Sequence, residues 1–467
     1  MTKERRPLIV VFTSHWLTLA GVALTTLAAL CWLFVLPVHI RGHVDNPYIG
    51  LLVFIFIPAV FFLGLALIPI GVVLGKSRIG AVFAEPSARS LAWRKLGVFV
   101  AVMTLVNIVI ASQVTYRAVE HMETVQFCGQ TCHAMKPEFT GHQQPPHQQV
   151  ECVACHVAPG ASGWLQSKMA GTRQLIEVMF NSYPHPIQSA IESNRMAASA
   201  VTCERCHARQ FPIGPRLRVI SKFKDDEMNT RTETVLMMLV GGGSREGIHG
   251  AHLGPGVRIR YAAQDRKRET IPWVEYRDPN GVIRTYLAAD AKPEAIESLP
   301  VFEMQCVDCH NRAAHAFETA ERALDRALAT GELPSDLPWL KKTGLRLIQA
   351  SYQTDAEAAR EIPSRLGAFY SAKYPAISAS RADAIRSAGE KLAQIYRTNV
   401  FPDLKVSWGT YPSNLGHTDA PGCFRCHDEN HASADKKTIS QDCNACHQTL
   451  AVEETSPAVL KTLGLEQ

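Results

Sequence analysis

Twelve of the thirteen cysteines fall in six pairs, and a histidine follows the second cysteine of every pair. Five pairs have the spacing Cys-x-x-Cys-His: Cys152/Cys155-His156, Cys203/Cys206-His207, Cys306/Cys309-His310, Cys423/Cys426-His427 and Cys443/Cys446-His447. The sixth, Cys128/Cys132-His133, carries one extra residue between its thiols. At this spacing two thiols can form thioethers to the vinyl groups of one haem while the next residue reaches the iron with its imidazole. Zinc sites need two Cys-x-x-Cys knuckles or a spaced histidine pair, and a disulfide framework has no use for a histidine after each second cysteine. Six motifs that consume nearly every cysteine therefore point to a multihaem cytochrome c with six covalently bound haem c groups. Cys31, alone in an apolar run, reads as a small buried hydrophobe.

Low-spin electron-transfer haems take two axial ligands, so six haems ask for about six distal groups beyond the motif histidines. Outside the motifs and the membrane region the candidates are His121, His142, His147, His185, His249, His252, His315, His417 and His431, of which five or six are expected to be ligands. His315 and His431 lie just beyond a motif histidine, on a short turn that aims them at a neighbouring haem, and His417 precedes the fifth motif by a similar arm. His249 and His252 follow a glycine-rich turn in a segment with no other reason for two histidines, and one of that pair is an expected ligand.

The elements that must carry these motifs begin in the membrane. Three runs lack any charged residue, between Arg6 and Arg41, Asp45 and Lys76, and Lys95 and Arg117. Each exceeds the roughly 20 residues that cross the hydrocarbon core as a helix, which predicts three transmembrane helices at about 16–38, 49–74 and 96–116. A cleaved signal peptide is the alternative for the first run, but its apolar stretch is long and no small-residue cleavage site follows. The N-terminal tail carries Lys3, Arg5 and Arg6, and the second loop Lys76, Arg78, Arg89, Arg94 and Lys95 against Glu85. The positive-inside rule then puts both in the cytoplasm and everything after Arg117 outside the bacterial cytoplasmic membrane, the periplasmic side on which thioethers are made.

The formal charge of +5 gives no reason to expect nucleic acid. Twelve propionates from six haems would turn it to about −7 if all ionise, and the basic groups are the natural partners of those carboxylates. Outside the membrane anchor (1–117), the reading is a mostly α, haem-packed exported domain with a β-rich insertion. A first haem cluster occupies 118–210, and a β-rich segment 211–300 follows. Its strands are expected at 216–223, 232–240, 257–262, 271–277 and 282–287, between turns such as Gly241-Gly242-Gly243 and Pro279-Asn280-Gly281. A helical C-terminal haem region spans 301–455, with helical periodicity at about 316–330, 338–352, 355–373 and 378–399. The tail 456–467 reads as poorly ordered. Neither the β segment nor the late helices carries an obvious catalytic constellation, so both read as scaffold or docking surface.

From the third membrane run to the third motif, the chain resembles the NapC/NirT/NrfH family of membrane-anchored quinol dehydrogenases. The matching residues are Phe127, Cys128, Cys132, His133, Ala134, Met135 and Lys136, then Pro146-His147, Cys152/Cys155-His156 and Lys168. The resemblance implies a first haem at the bilayer surface, quinol oxidation there, and transfer along stacked haems to a periplasmic redox partner protein. It makes Met135 a rival to His133 on the first iron, His147 a distal ligand to another haem of the cluster, and Lys168 either a ligand of the second haem or a quinol contact. An ordinary surface lysine is the bland reading of Lys168. Three features depart from the family: three anchor helices replace one, the first motif is a residue longer, and Leu175 stands where some relatives carry a quinol-side acid. Glu177, Glu138 or Glu120 could stand in for that acid.

The leading functional expectation is electron transfer from the membrane quinol pool, through the haems, to a periplasmic or other extracytoplasmic acceptor. Only ten residues separate the third run from the first motif, which ties that haem to the membrane surface. The alternatives are a terminal reductase with one open haem, or a relay cytochrome in complex with other membrane subunits that does not itself oxidise quinol.

Overall fold

The computed structural model describes residues 15–41, 55–76, scattered positions between 94 and 113, 115–207, 213–242 and 246–465. The chain forms two compact units, Met1–Met135 and Lys136–Gln467. The expected 118–210 cluster is thus divided between units, whereas the β-rich and C-terminal helical segments share one.

In the first unit, α1 (Trp16–Arg41) packs on α2 (Ile57–Leu74) through small residues. A Cβ on Gly64 would stand 2.5 Å from Thr25 Oγ1 and 2.8 Å from the Gly21 carbonyl oxygen, so the glycine is what lets the backbones approach. The Thr25 hydroxyl donates to the Gly21 carbonyl at 2.8 Å, which satisfies it without water. Among the described residues one helix, Ile57–Leu74, is long and apolar enough to cross a membrane, against the three expected. Trp16–Ala29 is a shorter apolar stretch. Every described position between 94 and 113 is helical, as are residues 115–122. The rest of the third run lies outside the described residues, as do the tail residues Lys3, Arg5 and Arg6 and most of the second loop.

The second unit joins two antiparallel sheets to a helical bundle. Strands β1 (Arg216–Phe223) and β2 (Arg231–Met238) form a hairpin, and the short helix α4, preceded in the chain by α3 (Ala161–Met179), follows at Gly247–Leu253. Then come β3 (Arg258–Ala262), β4 (Trp273–Arg277), β5 (Ile283–Leu287) and β6 (Val301–Glu303). All five expected strands are present, with ends shifted by no more than two residues. The bundle is α5 (Ala320–Ala329), α6 (Leu340–Ile348), α7 (Asp355–Lys373) and α8 (Ala382–Asn399), with Pro375–Ser380 a separate turn of helix that overlaps the start of the expected 378–399 region. Two late strands close the sheets: β7 (Ala432–Ser433), giving the order β6-β3-β4-β5-β7, and β8 (His447–Glu454), giving β1-β2-β8. β8 starts at the last motif histidine, so that motif is sewn into a sheet whose other strands lie some 200 residues earlier.

Local chemistry fixes the bundle. Thr319 and Thr354 cap α5 and α7 by accepting from Arg322 N and Glu357 N. Ala323, Leu324, Ala327 and Leu328 recur at helical spacing on α5 and bury against Leu340, Ile348, Ile362, Leu366 and Leu392. Lys341, 4% exposed, meets Asp325 at 2.5 Å inside this core, and Asp325 also accepts from Phe223 N, which pins β1 to α5. The tail departs from expectation: α9 (Ala458–Thr462) buries Leu460 against Val235 of β2.

Candidate haem sites

Each Cys-x-x-Cys-His motif is wound as a short helical turn, which brings its two thiols to one side. The turns are Cys152–His156 and Cys306–Cys309 as α-helix, and Cys203–Arg205, Gly422–Arg425 and Cys443–Ala445 as 3₁₀. The longer Cys128/Cys132 motif is wound as a π-helical turn, Phe127–Thr131. A π turn holds one more residue than an α turn, so the extra residue is absorbed by the wider winding. His133 and Met135 begin and end the 3₁₀ turn that follows; His133 is exposed and Met135 half-buried.

The five motif histidines of the second unit each face another imidazole. Ring centroids lie 6.1 Å apart for His156 and His315, 6.0 Å for His207 and His147, and 6.1 Å for His310 and His249. They lie 5.8 Å apart for His427 and His252, and 6.4 Å for His447 and His417. An iron held between two imidazole nitrogens at about 2 Å each puts the ring centres about 6 Å apart, so the spacing fits a haem iron with two axial histidines. Four of these rings also have Nδ1 fixed. His147 donates to Ala313 O, His252 to Ile248 O, His315 to Glu138 O and His427 to Ser440 O, at 2.7–2.9 Å. Such a bond sets the tautomer and leaves Nε2 for a metal. Burial holds His315 down to about 4 and lowers His156, His252 and His310 from the usual imidazole range, which keeps them neutral, the ligating form.

The thiols fit the same group. Burial pushes the Cys309 thiol up to about 11 and the Cys426 thiol up to about 12, an environment that rejects thiolate and accepts a neutral thioether. Among the described residues no three His, Cys, Asp or Glu side chains converge as a bare metal ion would require.

Both histidines of α4 face a motif histidine, where one was expected. The helix starts at Gly247, at φ +70, where a Cβ would stand 2.6 Å from Leu239 O; this tight exit from β2 swings His249 and His252 inward. Their separation of three residues on a helix was the available signal, since it puts both on one face. His431 does not meet a motif histidine. Its ring is buried, Nδ1 meets Asp428 Oδ1 at 2.8 Å and Nε2 donates to Ile271 O at 2.7 Å, so both nitrogens are engaged. His142 is likewise buried, with Nε2 on Val150 O, although its ring lies 6.0 Å from His315. His121 packs on Phe127 and His185 on Tyr183.

Lys168 and Glu177 both lie on α3 but nine residues apart, which at 100° per residue sets them on opposite faces. Glu177 pairs with Arg173 at 2.8 Å. Lys168 stands within an exposed apolar stripe formed by Trp164, Leu165, Met169, Ile176 and Phe180, its ammonium 5.5 Å from the Trp164 ring. Glu138 is half-buried beside His315: Oε2 lies 3.4 Å from Nδ1, and Arg312 Nη1 lies 3.8 Å from Oε1. Burial raises the Glu138 carboxyl above the usual range, with Arg312 pulling against it.

A family model described as NapC/NirT cytochrome c family, N-terminal region, matches residues 90–213. The chain is 34% identical to the cytochrome c-type protein ImcH of Geobacter sulfurreducens over 446 residues, 93% of this chain and 87% of that one. No solved structure matches it. Haem-binding motifs, paired imidazoles and a relative that spans nearly the whole sequence agree: this chain belongs to the NapC/NirT family of multihaem c-type electron-transfer cytochromes.

Proposed function

We propose that the chain is a membrane-anchored hexahaem cytochrome that carries electrons from the membrane quinol pool to an acceptor outside the cytoplasm. Bound haem c supplies one-electron redox chemistry at each site. The twelve motif cysteines would anchor the six groups. His156 with His315, His207 with His147, His310 with His249, His427 with His252 and His447 with His417 would hold the irons of five groups, and His133 or Met135 would serve the first. The observation that carries this reading is the set of five ring pairs at 5.8–6.4 Å. Because each of these motif histidines has an opposing imidazole, an open iron of the reductase type is disfavoured at those five sites.

The three charge-free runs and the positive loops support a multi-pass anchor with the haem sites on the periplasmic side. For quinol, the candidate is Lys168. A lysine within an apolar helical stripe can hold a quinol oxygen and take up one of the two protons released, while its neighbours exclude water. Glu177 faces away from it, and Glu138 is better read as a positioning group for His315. A pyridine haemochrome assay should return six haems per chain, and a count of five would mean that the long Cys128/Cys132 site is not loaded. Lys168→Gln should slow reduction by a menaquinol analogue and leave dithionite reduction unchanged. Unchanged quinol kinetics would put the quinol site elsewhere and favour a relay subunit.

A further inference from the structure

Three short peptides each serve more than one of the five sites in the second unit. The first is the segment just after the third-from-last motif. It begins at His310, the motif histidine of the fourth site, and its Ala313 carbonyl orients His147 at the third. Two residues on, His315 faces His156 of the second. Ser199 N also donates to Gln305 Oε1 at 2.7 Å, tying the approach to the third motif to the approach to the fourth. The Cys203 sulfur lies beside that of Cys306, and Cys155 lies close to Cys203 and Cys206, so the third site stands between the second and the fourth.

The second shared peptide is α4, whose His249 faces the fourth site and His252 the fifth. Inside the fifth motif, Arg425 Nη2 donates to Asp308 O of the fourth at 2.7 Å. The third is the arm from His417 to Phe424. Phe424 lies inside the fifth motif, and its ring stacks at 4.2 Å and 10° on His417, the residue that faces His447 of the sixth.

We infer that the second to sixth haem sites form one unbranched string in chain order, with each neighbouring pair bracketed by a peptide that serves both, and that the Cys443/Cys446 site is its far end. This rests on the axial pairing proposed above and adds to it an order that the motifs alone do not contain. Electrons that enter from the membrane side would then traverse every site and leave beside Cys443, whose side of the motif is exposed.

The test uses the full-length, fully loaded protein, oxidised, and reads spin state and relaxation by electron paramagnetic resonance. His249→Ala and His252→Ala should each open one site, and the double variant two. A high-spin iron speeds the relaxation of its neighbours. Opening the sixth site with His417→Ala should therefore affect one further haem, and opening the fifth with His252→Ala should affect two. One open site in the double variant, or two affected neighbours for His417→Ala, would overturn the order. If an alanine variant loses haem, His252→Met and His417→Met keep six-coordination and show a sulfur–iron charge-transfer band. The neighbours are then read from shifted reduction potentials, again two and one. A parent protein with high-spin haem at these sites would instead count against the axial pairing, a separate failure.

Discussion

Asp308→Asn should loosen the fourth site by stranding a buried arginine. Asp308 is the second intervening residue of Cys306-x-x-Cys309, and its carboxylate accepts from Gln305 N at 2.7 Å, from the Tyr261 hydroxyl and from Arg268 Nη1 at 2.9 Å. The side chains of Arg268 and Asp308 are 10% and 3% exposed, so water supplies little compensation. Asparagine keeps the shape but removes the charge. It also offers one acceptor oxygen to three donors, so its amide nitrogen must face one of them. Removing one partner of a buried ion pair costs about 3–5 kcal/mol, and the donor–donor mismatch lies within that range. The stacking of Arg268 on Phe302, at 3.8 Å, is the same in both proteins and gives no relief. At about 2 °C per kcal/mol for a unit of this size, the thermal midpoint of the loaded protein at fixed scan rate should fall by roughly 6–10 °C. The sign of a second substitution decides the matter. Adding Arg268→Met to Asp308→Asn removes the stranded charge, so the double variant should be more stable than Asp308→Asn alone. A midpoint shift under about 2 °C, or a double variant less stable than the single one, would refute the argument.

Two further substitutions separate structural from ligating roles. His431→Ala should leave the spin state of every haem unchanged while lowering stability by about 1–3 kcal/mol, because it removes the two hydrogen bonds of a buried ring that tie the segment after the fifth motif to Ile271; a new high-spin signal would restore it as a ligand. Gly64→Leu should separate α1 from α2, since even a Cβ there stands 2.5 Å from Thr25. It should show as a lower thermal midpoint or poor recovery of the detergent-solubilised chain, and a variant as stable as the parent would mean that the helices pack elsewhere.

Much of this organisation was legible because haem attachment is a local chemistry. Two thiols and an imidazole within five residues state the cofactor without any knowledge of the fold. The strands at 216–287 and the bundle helices were legible for a similar reason: alternation and helical periodicity are local, and turns such as Pro279-Asn280-Gly281 punctuate them. Ligand choice was not local. His431 and His315 look alike in sequence, each a few residues beyond a motif histidine. What distinguishes them is distant: the Ile271 carbonyl occupies Nε2 of His431, whereas Glu138 O holds Nδ1 of His315 and leaves the other nitrogen free to ligate. The extra residue in the first motif looked like a defect of spacing, and its resolution is a change of helix type that no pairing of cysteines announces. The tail read as poorly ordered because it is a chain end, yet Leu460 has a prepared neighbour in Val235.

The family match and the structural unit do not coincide, and the ligands explain why. The matched stretch ends at residue 213, and it holds the second and third motifs complete with their cysteines and motif histidines. Yet the imidazole facing His156 is His315, and the carbonyl that orients His147 is that of Ala313, both about a hundred residues beyond the match. Those two residues follow directly on the fourth motif, whose Asp308 is fixed by Tyr261 and Arg268. A chain that stopped near residue 213 would carry the attachment chemistry of its second and third sites but lack the groups that finish them. On the proposed pairing, the segment after residue 213 would complete the family-like sites as well as bring three further motifs, and a lesion in the fourth motif loop should be felt at the second and third sites too.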